Sequence, residues 1–237
     1  MFACGIKAMT FDVFGTVVDW RSSIIEQFRA LGDNKGISVP WDAFVDDWKS
    51  GYRPGMDAVN AGNIPWTNVD GIYRNKLDAL LVEYDISGLS ESEKVFLNRT
   101  WHRLNPWPDA AAGLNRLKKH YILSTLSNAD VACLVNMARH GGLAWDCVLC
   151  AEIFQRYKPD PEVYLGAIRL LGCRPEEVMM VAAHNYDLRH ARSHGMRTAF
   201  VPRPLEYGPG QTSDLEPDAD WDIVAGDFQE LAAAMKA

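Results

Sequence analysis

Phe11-Asp12-Val13-Phe14-Gly15-Thr16-Val17-Val18-Asp19 ends the first apolar run of the chain. The run, Lys7 to Val13, reads as a strand buried on both faces, because its apolar residues do not alternate with polar ones. A carboxylate at the end of such a strand, with a Gly-Thr turn directly after it, stands where a nucleophile would. Asp12 there can attack an electrophilic carbon or phosphorus to give an ester or an acyl phosphate, while the turn amides and the Thr16 hydroxyl hold an anionic group. The plainer alternative is an aspartate that caps the turn.

Working outward, four more apolar runs resemble the first: Tyr121 to Leu126, Cys147 to Ala151, Val178 to Ala183 and Thr198 to Val201, with Ile223 to Ala225 as a candidate sixth. Each leads into a loop and usually a helical pattern, which predicts an α/β fold: a Rossmann-like parallel sheet covered on both faces, with ligands beyond the carboxyl ends of its strands. The spacing is uneven once, since more than a hundred residues separate the first two strands. The patterns in that interval are helical, at Ser22 to Leu31, Trp41 to Tyr52, Ile72 to Tyr84 and Ser90 to Arg103. We therefore expect residues 1–19 and 102–237 to form the core and residues 20–101 an inserted helical cap domain. Pro202 to Asp220, rich in Pro, Gly and Asp, reads as an ordered surface loop.

A chain of 237 residues with 48% hydrophobic and 23% charged residues suits one large domain or one with an insertion. Its net charge of −7 disfavours nucleic acid and anionic membrane as partners, so a bound anion needs a local pocket. No run approaches a membrane span, and Met1 to Thr10 lacks a secretory pattern; the expected location is the cytoplasm. Cys4, Cys133, Cys147, Cys150 and Cys173 are scattered and odd in number, as reduced thiols would be. Cys147-Val148-Leu149-Cys150 falls inside a strand pattern with no second pair or nearby histidine, and is expected to be structural.

The other strand ends carry chemistry too. Ser127-Asn128 leaves the second strand just before a helix, as an anion site or as ordinary helix capping. After the third strand comes Lys158-Pro159-Asp160-Pro161, in which Asp160 is placed as N-cap and Pro161 as the first helical residue, so that Lys158 sits on a stiff loop. A lysine so held can keep a buried carboxylate ionised, and Tyr164 follows in the first turn of the helix. The fourth strand runs into His184-Asn185-Tyr186-Asp187, where Asp187 is the candidate to orient or deprotonate water and His184 either shares that task or binds a loop.

Together the four motifs resemble the haloacid dehalogenase superfamily over essentially the whole chain, and within it the type II (S)-2-haloacid dehalogenases. Phosphatases of that superfamily carry a second aspartate two residues after the nucleophile, as general acid and metal ligand; Phe14 stands there in this chain. An alkoxide leaving group needs that proton, whereas halide leaves without one. The resemblance implies a metal-independent, cofactor-free hydrolase of short 2-haloacids. In it Asp12 displaces halide from C2, Thr16 and Ser127 hold the substrate carboxylate and Asn128 faces the halide. Lys158 and Tyr164 match the family's lysine and tyrosine, Asp187 positions the hydrolytic water, and a homodimer is possible.

The chain departs from the family at three places. Ala182 and His184 stand where Ser and Asn are usual, and Tyr186 where a Trp shapes the halide pocket. The halide-binding arginine of the cap is replaced by Lys49 in alignment, with Arg53 its chemical match one helical turn on. Trp48, Tyr52, Trp66 and Trp101 are candidates for an apolar wall or for interhelical core. The rival readings are a magnesium-dependent phosphatase of a small metabolite and a catalytically silent binder of small carboxylates.

Overall fold

The computed structural model describes residues 5–237; Cys4 lies outside the described residues. Its first strand, β1 (Ala8–Phe11), is buried at every position, and the Thr10 hydroxyl meets the Met179 carbonyl at 3.4 Å. The chain then makes a two-residue strand, β2 (Val18–Asp19), and passes through five helices: α1 (Trp20–Lys35), α2 (Trp41–Ser50), α3 (Tyr52–Asn60), α4 (Val69–Glu83) and α5 (Glu91–Asn98). A short 3-10 turn over Arg99–Arg103 leads to β3 (Asn105–Pro106), which pairs antiparallel with β2, so the helical insertion leaves and returns at neighbouring points.

From there strand and helix alternate: α6 (Ala110–Leu117), β4 (Ile122–Ser127), α7 (Val131–Gly141), β5 (Cys147–Cys150), α8 (Ala151–Phe154), α9 (Pro161–Leu170), β6 (Val178–Ala182), α10 (Asn185–Ser193), β7 (Arg197–Phe200), β8 (Ile223–Val224) and α11 (Phe228–Ala234). The main sheet has the order β5-β4-β1-β6-β7-β8, and every pairing in it is parallel. Phe11 lies in register with Thr125 on one side and Val181 on the other. That register brings the ends of β1, β4 and β6 to one edge of the sheet, with Asp12, Ser127-Asn128 and His184 beyond it.

All six expected strands form, with bounds shifted by a few residues. Cys147 and Cys150 stand at the two ends of β5, and residues three apart on a strand face opposite sides of the sheet. The helical pattern expected to end at Tyr52 instead breaks at Gly51 and resumes as α3. Pro54 is accommodated there because the first turn of a helix has no intrahelical use for its N–H. Gly55 lets α3 approach α4, since a Cβ there would fall 2.5 Å from the Ile72 side chain.

The insertion is fastened to the rest of the chain by polar contacts as well as packing. Asp130, just before α7, accepts from the Val69 and Asp70 amides at 3.1 Å each, meeting two orphan N–H groups at the start of α4. Asn60 exchanges two hydrogen bonds with the Tyr157 backbone, and Trp66 stacks on the Tyr157 ring. Trp48 and Trp101 are fully buried between helices, whereas Tyr52 borders an open cavity.

The segment after β7 differs from the surface loop expected of Pro202 to Asp220. It is fixed at both ends, and its first part is core. Arg203 is buried, grips Asp109 with two hydrogen bonds of 2.7 and 2.9 Å, and donates to the Thr16 carbonyl. Asn185 ties down the far part through Asp214, Glu216, Asp218 and Trp221.

Candidate active site

Asp12 leaves β1 with its carboxylate in a cavity of about 290 Å³ between the sheet edge and the helical insertion. Lys158 Nζ donates to Oδ1 at 2.9 Å; the Thr16 hydroxyl at 2.8 Å and His184 Nδ1 at 2.9 Å donate to Oδ2. Burial alone would favour the neutral acid, but Lys158 and His184 together hold the carboxyl well below the usual carboxylate range. Asp12 is thus a desolvated, ionised carboxylate.

Lys158 is held by its backbone. Its amide donates to Asn128 Oδ1 at 2.7 Å, and the helix that follows starts on Asp160, whose side chain accepts from the Glu162 amide. The buried ammonium bridges Asp12 and Asp187, and Tyr164 donates to the other Asp187 oxygen at 2.7 Å. Burial would strip the lysine of its proton, yet the two carboxylates raise its pKa above the ordinary value. Asp187 is pushed up by its burial, against the pull of Lys158.

His184, for which the sequence leaves two roles open, lies directly on Asp12. Its other nitrogen, Nε2, meets Glu206 Oε2 at 2.8 Å, and Trp20 Nε1 donates to Glu206 Oε1 at 3.1 Å. Burial disfavours the imidazolium, but Glu206 and Asp12 carry its pKa well above the ordinary value, so the ring is charged. Glu206 itself is 2% exposed and escaped the sequence reading. The available signal was its position after the carboxyl end of β7, the same edge from which the other strands present their groups. Gly15 makes room for it: the residue has φ of +84°, and a Cβ there would lie 2.0 Å from Glu206 Oε1.

The candidates for anion binding divide into two groups. Thr16 and Ser127 are fully buried behind the cavity wall. The Thr16 hydroxyl donates to Asp12 and accepts from the Ala183 amide at 2.9 Å, so as folded it orients the Asp12 carboxylate. Ser127 Oγ accepts from the Ala129 amide at 3.2 Å. Asn128, Lys49 and Arg53 do line the cavity. Because a backbone N–H can be met only by the amide oxygen, the Asn128 NH₂ is the end that faces the Tyr52 hydroxyl.

Lys49 and Arg53 both reach the site, from successive helices rather than one. Lys49 Nζ lies 3.9 Å from the Tyr52 ring centre and 5.2 Å from that of Trp20, with Phe14 and Trp101 at 5.6 Å. Burial lowers its pKa to about 8, opposed by Glu206 and Asp12. Arg53 is exposed, paired with Asp57 at 3.0 Å, and reaches 5.6 Å from the Tyr186 ring. Lys49 is therefore the desolvated cation and Arg53 the hydrated one. Phe14, 4% exposed, packs edge-on against Trp101 and Tyr52 and supplies the apolar part of the wall.

An ionised carboxylate, a lysine bridging it to a second carboxylate, and an apolar wall form one site at the edge of a parallel sheet. A family model of haloacid dehalogenase-like hydrolases matches residues 6–195. The chain belongs to this family. As a haloacid dehalogenase-like hydrolase it is similar to an L-2-haloacid dehalogenase of known structure, with 50% identity and a TM-score of 0.96 over 98% of this chain and 99% of the other. A defluorinating L-2-haloacid dehalogenase superposes with a TM-score of 0.95 at 42% identity, over 98% of this chain and 96% of that one. The (S)-2-haloacid dehalogenase of Pseudomonas sp. (strain YL) is 31% identical over 89% of this chain and 90% of its own length.

Proposed function

We propose that this hydrolase removes halide from short 2-haloalkanoic acids, giving 2-hydroxy acids through an ester on Asp12. The observation that carries the reading is Phe14. A phosphate monoester leaves an alkoxide on the face opposite the nucleophile, and an acid must stand there; this chain puts a buried aromatic ring at that sequence position, which suits a halide that departs unprotonated. Magnesium fits the residues poorly, because a lysine ammonium already lies between the Asp12 and Asp187 carboxylates and Phe14 offers no side-chain carboxylate. The names borne by the similar proteins agree with this reading.

In the reaction Asp12 attacks C2, favoured by desolvation and by three donors that fix its orientation. Residues 20–101 act as a cap, from which Lys49 supplies the positive charge toward which halide leaves, with Arg53 at the mouth. Asn128 adds a neutral donor, and of the two hydroxyls behind the wall Ser127 is the one that does not donate to Asp12. Asp187 then takes a proton from the water that attacks the ester. The site formally balances three carboxylates (Asp12, Asp187, Glu206) with three cations (Lys158, His184, Lys49), so a monoanionic substrate enters a neutral pocket in an acidic protein. We place the reaction in the cytoplasm.

The test is halide release from chloro-, bromo- and fluoroacetate and both enantiomers of 2-chloropropionate, with EDTA present. Release that survives EDTA and disappears in Asp12→Asn is expected. Phosphate-ester hydrolysis that requires magnesium, with no halide release, would overturn the assignment.

A further inference from the structure

Halide displacement gives His184 no proton to move. Its Nδ1 donates to Asp12 Oδ2 and its Nε2 to Glu206 Oε2, so both nitrogens face carboxylates and only the imidazolium satisfies both bonds. The contact to Oδ2 puts the ring on the nucleophile's side of the substrate, whereas the halide leaves from the opposite face of C2. The ring is on the wrong side to assist that departure.

The second half of the reaction does need an acid. When water adds to Asp12 Cγ, the bond that breaks joins Cγ to the oxygen carried away by the product, and that oxygen leaves as an alkoxide unless it is protonated. Resting on the dehalogenase reading, we propose that His184 is the general acid of ester hydrolysis and Glu206 its positioning residue. Asp12 Oδ2 is the attacking oxygen, and His184 Nδ1 returns a proton to it as the ester opens.

The step balances. An Oδ2 lone pair forms the bond to C2, and halide departs with the carbon–halogen electron pair. Water oxygen then adds to Cγ and gives one proton to Asp187, while Lys158, beside Oδ1, faces the oxyanion. The Cγ–Oδ2 electron pair leaves with Oδ2, which takes the Nδ1 proton and departs as the hydroxyl of the 2-hydroxy acid. Asp12 is left as a carboxylic acid bearing the other proton of the water and passes it to neutral His184. Asp187 releases its proton to solvent, the one proton that the net reaction yields.

The surroundings time the transfer. In the free enzyme two carboxylates hold the imidazolium. Esterification removes the charge of Asp12, so the ring becomes a stronger acid only in the intermediate, where its proton is needed. Glu206 keeps the ring charged and aimed, and is itself set by Trp20 and by the space at Gly15.

His184→Asn keeps a donor for Asp12 but has no proton to give. Mixed rapidly with excess chloroacetate, it is expected to release one equivalent of chloride per site in a burst close to the wild-type rate, and then to turn over roughly 100-fold or more slowly. Intact-mass and peptide analysis should find the carboxymethyl ester on Asp12. Glu206→Gln, a second variant should the first fold poorly, is expected to keep the burst and shift the pH profile of the slow phase to lower pH. Wild-type turnover in His184→Asn overturns the proposal, and so does loss of the burst without ester, which would place the histidine in the first step. If the wild-type enzyme itself releases no halide from any haloacid, the dehalogenase reading fails and the proposal with it.

Discussion

Replacing Lys49 with methionine is expected to raise stability and lower activity together. The ammonium sits among aromatic rings, and burial lowers its pKa from 10.5 to about 8 against the attraction of Glu206 and Asp12. A shift of that size corresponds to at most about 3 kcal/mol, and partial exposure reduces the expected effect to about 1–2 kcal/mol. The folded protein binds fewer protons than the unfolded chain between the two pKa values, so the burden is full below pH 8 and eases as pH rises toward 10.5. Lys49→Met removes it and should raise the urea midpoint at neutral pH.

Activity moves the other way. Without Lys49 the site carries one net negative charge and meets an anionic substrate with one cation fewer. Loss of a charge-assisted contact of about 1.5–3 kcal/mol lowers kcat/KM by roughly 10- to 150-fold. The wild-type enzyme should show the same decline as pH rises through about 8, since kcat/KM reports the free enzyme. Lys49→Arg, which stays charged, should extend activity to higher pH. Halide-electrode rates from roughly pH 6 to 10 at fixed ionic strength, paired with urea unfolding, provide the measurement. A methionine variant with wild-type kcat/KM, or an arginine variant with an unchanged alkaline limb, refutes the reasoning.

Gly15→Ala adds a Cβ at a positive φ and within 2.0 Å of Glu206 Oε1; a loss of at least about 2 kcal/mol and a slowed ester-hydrolysis phase are expected, by urea midpoint and burst kinetics. Lys158→Met strands two buried carboxylates and should abolish turnover at a cost of about 3–5 kcal/mol near neutrality, with part of the stability regained in acid as the carboxylates protonate. Burial, with Asp70 nearby, raises Asp130 from 3.8 to about 6, so its protonated form contributes stability that is lost as pH rises through about 6. Asp130→Asn should therefore gain about 1–3 kcal/mol on the wild type between roughly pH 4 and pH 7, and parallel unfolding curves for the two proteins would overturn the assignment.

The sheet could be read because a strand buried on both faces carries an unbroken apolar run, and the β4-β1-β6 register then fixes where Asp12, Asn128 and His184 meet. Lys158 and Tyr164 were readable from the proline-stiffened entry to α9. Helix α3 was hidden by Arg53-Pro54-Gly55, a string that looks like a turn until one sees that the proline falls in the first helical turn. Glu206 was hidden for another reason: its burial depends on Gly15, Trp20 and His184, and the bond to Trp20 spans 186 residues. Sequence shows the Thr16 hydroxyl near an anion site, but its hydrogen bond to Asp12 depends on how the turn after β1 folds back on the strand end.

The short β2-β3 ribbon has an architectural consequence. Because Val18–Asp19 and Asn105–Pro106 are hydrogen-bonded partners, the eighty-odd residues between them begin and end about 5 Å apart, the spacing of neighbouring strands. An insertion with so narrow a waist can vary in length without moving the sheet, provided Trp20 at its start keeps its bond to Glu206. Asp12, Lys158, His184 and Asp187 lie on one side of that waist, while Lys49, Tyr52 and Arg53 arrive from the other. On the proposed function, substrate range is therefore open to grafting within the insertion beyond Trp20.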